Sequence, residues 1–354
     1  RFGGWRCSPL NAALYWFHIW EFHLFEELIK IAEDKLHENG DEVDFESVIE
    51  FVASVLIENT NEQEEANVKH VMSEHDAFLK RNRERWSLGF TKLHALRETC
   101  LEAGMNFQKQ FIKLPQYETD ELIGVFMRQH AHACRITGEI IHLLEGGYPD
   151  AALARWRTLY EMVVTCLVIK KCGRAAAIDY IKHGMVQTAE GVEEHRKTAD
   201  AMGQETFSDQ EAESYAQLKH AITQGNSGWH WAREHTGYKK IDKLREFVEL
   251  DKWSHNYKLA SRNVHADYYE MASLYAMREA EEDMLLCGQS NSGLTEPAHF
   301  TAIALAQITS VFLTTYIEDN DSGLDYADSA IFMKIIDNYV KEVGEAFLSV
   351  EKPI

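Results

Sequence analysis

The chain has little of what marks membrane, secreted or β-rich proteins. Only 5 of its 354 residues are proline. Strand-like alternation of apolar and polar residues is nearly absent, and no apolar run approaches the roughly 18 residues of a membrane span. The 6 cysteines are scattered, and none forms a Cys-x-x-Cys pair. We therefore expect a soluble, helix-rich, cytoplasmic protein with reduced structural thiols and no membrane contact.

Motifs that identify a known chemistry are missing too. The sequence has no Gly-x-x-x-x-Gly-Lys-Ser/Thr loop, no Gly-x-Gly-x-x-Gly after a strand and no Gly-x-Ser-x-Gly elbow. Nucleotide-binding folds and serine hydrolases are therefore unsupported. His-Glu-x-x-His and EF-hand patterns are also absent. No cofactor and no motif-encoded metal site are predicted.

Positive charge is scarce. The 36 Lys and Arg residues face 57 Asp and Glu residues, which gives a net charge of -21. Phosphate groups would be repelled by most of such a surface, so broad, non-specific adhesion to nucleic acid is disfavoured. Residues 33–65 are strongly acidic and residues 80–97 are locally basic. We interpret this uneven charge as solvated helix faces.

Apolar residues recur with helical period along almost the whole chain. The pattern predicts an all-α fold, a helical bundle over residues 116–354 with an additional amino-terminal helical region over residues 1–115, and Pro115 closes that first region. Because the chain begins at Arg1 without an initiator Met, we expect it to start within a longer protein. The predicted helices span 10–38, 45–58, 64–112 with breaks near Gly89 and Gly104, 119–145, 149–171, 174–202, 209–224, 239–250, 251–285, 296–318 and 325–350.

The first informative motif runs from Gly147 to Glu161. Gly146 and Gly147 end one predicted helix, and Pro149 suits the first turn of the next, so the two helices form an antiparallel hairpin. Arg157 and Glu161 are four residues apart and therefore neighbours on the helix surface. They form either a salt bridge that stiffens a packed helix or the border of a pocket, with Arg155 near its rim.

The second motif lies about a hundred residues later, on one flank of an apolar and aromatic stripe. Ser261 and His265 are again four residues apart, and Arg262 is one turn from His265. Such a histidine is either a hydrogen-bonded structural residue or a catalytic group. His265 as general acid/base and Arg262 as phosphate stabiliser would cleave a phosphodiester without metal. The stripe contains Trp253, Tyr257, Ala260, Val264, Tyr268, Met271 and Tyr275.

Two further groups of residues invite a functional interpretation. Glu161, His183 and His265 would supply a carboxylate and two imidazoles for divalent iron or zinc if three helices met. His130 and Cys134 are also four residues apart, but two ligands are insufficient for a metal site. The aromatic loop over residues 225–231 would stack on a base or lie against the bundle, and we favour packing.

Three segments together resemble the core signature of the DUF5677 family, which comprises bacterial helical proteins without a settled activity. The segments are residues 139–161, 177–183 and 260–266, and the resemblance covers residues 80–275. It implies that Arg157, Glu161 and His265 are central to function. It also implies that further positions matter, namely Tyr180, His183, Ser261 and Asn263, which we expect to bind a ligand together with Arg155.

A more distant resemblance is to HEPN domains, helical bundles that often act as metal-independent ribonucleases in toxin or phage-defence systems. Their motif joins an Arg, a polar residue and a His across four to six intervening residues. The chain has these residue types at Arg262-Asn263-Val264-His265, but with only two intervening residues. The shorter spacing changes the direction of the His265 side chain relative to Arg262. This resemblance implies an endoribonuclease acting on RNA, with Arg157 and Glu161 organising the pocket and a homodimer pairing two sites.

Three functions therefore compete. The first is the HEPN-like ribonuclease or toxin-type effector. The second is a non-enzymatic helical module that senses a small ligand or binds a partner protein, in which Arg157–Glu161 and Ser261–His265 are buried polar pairs that fix the packing. The third is a carboxylate–histidine metal enzyme. The acidic surface fits the second better than RNA binding.

Overall fold

A computed structural model describes residues 22–39, 45–265, 275–280 and 286–351. These ranges contain α-helices and short 3-10 helices and no strand, so the predicted all-α fold is confirmed. The α-helices are α1 (Phe22–Asn39), α2 (Phe45–Arg85), α3 (Ser87–Phe111), α4 (Glu121–Glu145), α5 (Pro149–Cys172), α6 (Arg174–Thr198), α7 (Asp209–Thr223), α8 (Arg233–Thr236), α9 (Ile241–Phe247), α10 (Ser254–His265), α11 (Thr295–Leu313) and α12 (Ala327–Leu348).

Helix α11 is the centre of the bundle and packs against α3, α4, α5 and α12. Its Phe312 ring lies 5.4 Å from Phe107 of α3 and 5.3 Å from the His130 ring of α4. At the other end of the core, Phe347 of α12 stacks on Trp86, 5.5 Å away. These side chains belong to one continuous apolar core, whose burial is the main stabilising contribution to the fold.

The motif-bearing helices lie around α5. Helices α6, α9 and α10 each contact α5, and α7 packs against α6. Helix α5 has buried residues from Pro149 to Ile169, because it is covered by the bundle on one side and by these helices on the other. This arrangement brings the two sequence motifs together.

Helices α1 and α2 form a smaller packing unit. Ala32, Val48 and Val52 make a separate apolar cluster, while the buried Asn82 of α2 donates hydrogen bonds to the carbonyls of Leu144 and Glu145. Helix α3 packs against α4, α11 and α12 and shares their core. A domain boundary at residue 115 stays a prediction.

The predicted breaks between residues 58 and 112 are wrong in two places. Helix α2 is continuous from Phe45 to Arg85, and α3 continues through Gly104. The predicted break near Gly89 is present, at Trp86. Both glycines allow close packing rather than ending a helix, because a Cβ at Gly104 would lie 2.3 Å from the His130 ring.

The predicted helix over 251–285 is wrong at residues 275–280. Tyr275–Met277 is a short 3-10 helix. Its Tyr275 and Ala276 amides donate to the Asp150 carboxylate at 2.8 and 3.0 Å, so they are not available for a continuing α-helix. Residues 1–21, 266–274 and 281–285 lie outside the described ranges. They include the start of the first predicted helix and Ala266, Tyr268 and Met271.

Several local signals are confirmed. Gly147 adopts a left-handed conformation with φ of 79°, and Pro149 takes the first turn of α5, which yields the predicted hairpin. Ser208 and Glu211 form the predicted capping box at the start of α7. Among the described helices, none combines the length and the apolar character needed to span a membrane.

Candidate functional site

Helices α5 and α10 meet through a cluster of polar side chains. The Arg157 Nε donates to Glu161 Oε1 at 3.0 Å, which confirms the predicted neighbours on α5. The Tyr257 hydroxyl of α10 donates to the same oxygen at 2.7 Å. Because one carboxylate oxygen accepts from both helices, Glu161 ties the first motif to the second.

A second arginine approaches the same tyrosine. The guanidinium carbons of Arg157 and Arg245 both lie 5.2 Å from the centre of the Tyr257 ring, within range of a cation–π interaction. Arg245 is 5% exposed and binds Asp242 at 2.9 Å. Its Nε and Nη1 are buried without a hydrogen-bond partner in the described part of the chain. The Tyr160 ring lies 5.7 Å from the Tyr257 ring, and its hydroxyl donates to the Leu250 carbonyl at 2.9 Å.

The electrostatics keep Tyr257 protonated. Burial, followed by the hydrogen bond to the Glu161 carboxylate, raises the pKa of the Tyr257 hydroxyl, since both disfavour a phenolate beside a negative charge. The hydroxyl is therefore a donor at neutral pH. Chemically, Arg157, Tyr257 and Glu161 satisfy one another by hydrogen bonds, and none of them is a nucleophile activated by a base.

The second motif is only partly joined to this cluster. The Ser261 hydroxyl donates to the Tyr257 carbonyl at 2.8 Å rather than to His265. Arg262 and His265 are exposed, whereas Asn263 has a buried Nδ2 without a described partner. His265 lies eight residues after Tyr257, roughly 12 Å along the helix axis. The buried Ser261–His265 pair of the packing interpretation is wrong, because His265 faces water.

Arg155 binds a different partner from Arg157. Its Nε donates to Glu139 Oε2 of α4 at 2.6 Å, and Arg135 contacts the same carboxylate at 3.4 Å. This ion pair connects the two helices of the α4–α5 hairpin. It places Arg155 at the α4 side of α5.

Tyr180 and His183 lie on α6 against the aromatic loop. The Tyr180 ring contacts Trp231 at 5.1 Å, and the His183 and His230 rings are 4.7 Å apart. Trp231 is buried, so the loop packs against the bundle as predicted. Burial lowers the pKa of His183 and lowers the pKa of His230 to about 4. Both rings are therefore neutral near pH 7.

The proposed metal ligands are not assembled. No group of three His, Cys, Asp or Glu side chains suited to a metal ion occurs among the residues that the structure describes. Glu161, His183 and His265 all fall within those ranges, so the predicted three-ligand set is wrong. Glu161 binds Arg157 and Tyr257, His183 lies against His230, and His265 is exposed. His130 and Cys134 do approach, with 3.6 Å between Nε2 and Sγ.

Sequence reasoning missed a cavity at the corner where α5 ends and α6 begins. Its volume is about 750 Å³, within the usual range for small-molecule sites. Apolar walls come from α4 and α5, including Leu122, Phe126 and Leu167. Charged side chains of both signs surround them, namely Lys170, Lys171, Arg174, Glu249, Glu318 and Asp319.

The three cations of this cavity differ in their partners. Arg174 binds Glu121 at 2.7 Å, and Lys171 donates to the Phe247 carbonyl at 3.0 Å. The Lys170 ammonium donates to the Thr314 hydroxyl and, at 3.4 Å, to the Thr314 carbonyl. Burial lowers the pKa of Lys170. The described hydrogen-bond partners of Lys170 are thus neutral oxygens, and the nearby Glu318 carboxylate partly offsets the effect of burial on its pKa. Arg174 instead binds a carboxylate directly.

A second recess opens beside the same lysine. It has a volume of about 430 Å³, lies between α11 and α12, and shares Leu167, Lys170 and Thr314 with the first cavity. We name the two together the Lys170 cleft. No sequence motif indicates it, because its walls combine α4, α5 and α6 with α11 and α12, which come much later in the chain. The one local indication of the cleft in the sequence is Lys170 itself, a charged residue directly after the buried Ile169 near the end of α5.

Comparisons with known proteins relate part of the chain to one family. No curated protein and no solved structure matches the sequence. The model of DUF5677, a family of unknown function, matches residues 124–283, which confirms the resemblance seen in the sequence motifs. The match contains the Arg157–Glu161–Tyr257 cluster and the α5 side of the Lys170 cleft. Residues 124–283 of this chain are therefore similar to DUF5677, a family of unknown function.

Proposed function

We propose that this protein is a non-enzymatic helical module that senses a small anionic ligand, and that the ligand binds in the Lys170 cleft. The observation that carries the proposal is the environment of Lys170. This ammonium group lies where two cavities meet, and its described hydrogen-bond partners are the two oxygens of Thr314. Lys170 is exposed at this junction, and a cation hydrogen-bonded to neutral oxygens can add a charge-assisted hydrogen bond to an anion.

The polar cluster of the two motifs supports a structural role. Glu161 accepts from Arg157 and Tyr257, and Tyr160 donates to the Leu250 carbonyl. Buried or half-buried polar groups satisfied in this way fix how helices pack. The cluster then positions α5, whose carboxyl-terminal end carries Lys170, so the motif residues support the cleft from a distance.

The proposal is tested by titration with 1-anilinonaphthalene-8-sulfonate, an aromatic anion that fluoresces when it leaves water. We expect saturable binding to the parent and a loss of affinity of roughly tenfold in Lys170→Met, which keeps the apolar stem but removes the charge. Lys80→Met, at an exposed lysine of α2, is the matched control and should bind as the parent does. Equal affinity in all three proteins would overturn the proposal.

A metal-independent ribonuclease is the second candidate, favoured by the exposure of Arg262 and His265 one turn apart at the end of α10. Its homodimer stays a prediction, as does binding of a partner protein in the first candidate. On the module proposal, purified parent and His265→Ala proteins leave single-stranded RNA intact. RNA cleavage by the parent that His265→Ala abolishes would establish the nuclease instead.

A further inference from the structure

The recess between α11 and α12 is an apolar groove that ends at one positive charge. From α11 it is lined by Ile303, Ala306 and Ser310, and from α12 by Met333, Ile336 and Val340. The lining residues of α11 run from Ile303 to Thr314, a length of roughly 16 Å along the helix axis. Lys170 lies beside Thr314, at one end of that face.

The charges around the groove favour a ligand with one negative charge. Asp337 is the carboxylate in the recess and pairs with Lys341 at 2.8 Å. In the neighbouring cavity, the carboxylates of Glu249, Glu318 and Asp319 line the same space as Lys170. The other two cations there, Lys171 and Arg174, already have oxygen partners. A second anionic group on the ligand would be repelled by these carboxylates, whereas a single anionic group would be attracted to the Lys170 ammonium group.

We infer that the ligand is a free amphiphile with one negative charge, such as a medium-chain carboxylate, whose head group binds Lys170 and whose hydrocarbon chain lies between α11 and α12. This inference rests on the proposed function and names the ligand class of that site. Burial of the chain against the apolar walls supplies affinity, and the lysine sets the orientation. A phosphate dianion or a nucleotide does not fit this distribution of charge.

The volume of the recess and the net charge of the protein both favour a free molecule over a membrane lipid as the ligand. Its volume of about 430 Å³ is that of a small-molecule site rather than an extended surface. The net charge of -21 repels an anionic bilayer as it repels nucleic acid. A free amphiphile carries a single charge, so its binding at Lys170 does not require the acidic protein to approach an anionic surface.

Isothermal titration calorimetry with octanoate, 1-octanol and acetate tests the inference on the full chain. We expect octanoate to bind the parent at least tenfold more tightly than either other probe, because only octanoate has both the charge and the chain. Lys170→Met should lose roughly tenfold in octanoate affinity, as should Met333→Glu, which places a negative charge in the recess. Lys80→Met and Ala330→Trp, the latter at an exposed position of α12, should bind as the parent does.

The failures of the inference and of the proposed function are distinguishable. If acetate matches octanoate and both depend on Lys170, the amphiphile is overturned and an anion-binding module remains. If octanol matches octanoate, the role of the charge is overturned. Sedimentation with phosphatidylglycerol vesicles, without octanoate binding, would identify a membrane lipid and contradict a free ligand. If octanoate does not bind and the naphthalene sulfonate titration is also flat, both proposals fail.

Discussion

At the scale of single residues, Tyr257 connects three helices. Its hydroxyl binds Glu161 of α5, and its ring lies near Arg157 of α5 and Arg245 of α9. Tyr257 itself is 7% exposed. Interactions of this kind are individually modest, but a buried group that loses its partner costs more than the hydrogen bond itself.

Replacement of Tyr257 by Phe should lower the free energy of unfolding by about 1 kcal/mol, because the half-exposed Glu161 loses one of its two donors. Urea unfolding followed by circular dichroism measures the change. Tyr238→Phe, at an exposed tyrosine, is the control and should stay within about 0.5 kcal/mol of the parent. An unchanged midpoint for Tyr257→Phe would mean that the cluster contributes nothing to stability.

His130 gives the fold a pH dependence. Burial lowers its pKa to about 4, while the unfolded chain has a histidine pKa of about 6.5. The unfolded state therefore binds the proton more tightly, and protonation favours unfolding. The contribution of His130 to stability is full above about pH 6.5 and is lost as the pH falls towards 4.

We predict that the parent loses about 2 kcal/mol more than His130→Leu when the pH falls from 7 to 5, as the linkage relation gives for one proton. Urea unfolding of both proteins at the two pH values measures this difference. His132→Leu, at an exposed histidine of the same helix, should keep the pH dependence of the parent. Parallel pH profiles for the parent and His130→Leu would contradict a buried neutral imidazole.

Single residues were predictable from the sequence only where the interaction is local. The Arg157–Glu161 pair follows from the four-residue spacing, and the structure contains it. Tyr257 was assigned to the apolar stripe, because its bond to Glu161 spans 96 residues. Lys170 was missed for the same reason, since its partner Thr314 is 144 residues away.

At the scale of elements, caps and glycines decide the helix ends in different ways. The capping box of Ser208 and Glu211 was readable, because both partners lie within one turn. Gly104 was misread as a break, although α3 continues through it. Its role is set by the His130 ring of α4, which approaches the position where a Cβ would be. A sequence pattern shows that glycine is present, but not whether it serves a turn or a close contact.

Gly104→Ala should lower the free energy of unfolding by about 1–3 kcal/mol, because the added methyl group overpacks the contact between α3 and α4. Gly184→Ala, in α6 with nothing within 4 Å of its Cβ position, should raise it by about 0.5–1 kcal/mol through helix propensity. Thermal unfolding of both variants compares them directly. A stabilising effect at both positions would show that α3 and α4 are farther apart than described.

At the scale of the whole molecule, the helical class was predictable and the arrangement was not. Helical period fixes which stretches are amphipathic. It does not identify α11 as the helix that packs on α3, α4, α5 and α12. The Lys170 cleft is a product of that arrangement. It combines helices of the DUF5677 segment with α11 and α12, which lie beyond residue 283.

The cysteines report on the packed state of the molecule. Cys100, Cys134 and Cys166 are buried, and burial raises the pKa of each thiol to about 12. Cys287 is exposed. Because the thiolate is the reactive form, iodoacetamide should label Cys287 first and the three buried thiols only after unfolding. Peptide mass spectrometry over time measures the order, and early labelling of Cys166 would contradict the packing of α5.

The central claim is that the Lys170 cleft receives an anionic ligand. The most direct measurement is a crystal structure of the protein soaked with 4-bromobenzoate, with the bromine located by anomalous scattering. We expect an anomalous peak inside the cleft and a carboxylate against Lys170, both absent from Lys170→Met crystals. A peak beside Arg157 and Glu161, or none in the cleft at saturating bromobenzoate, would contradict it.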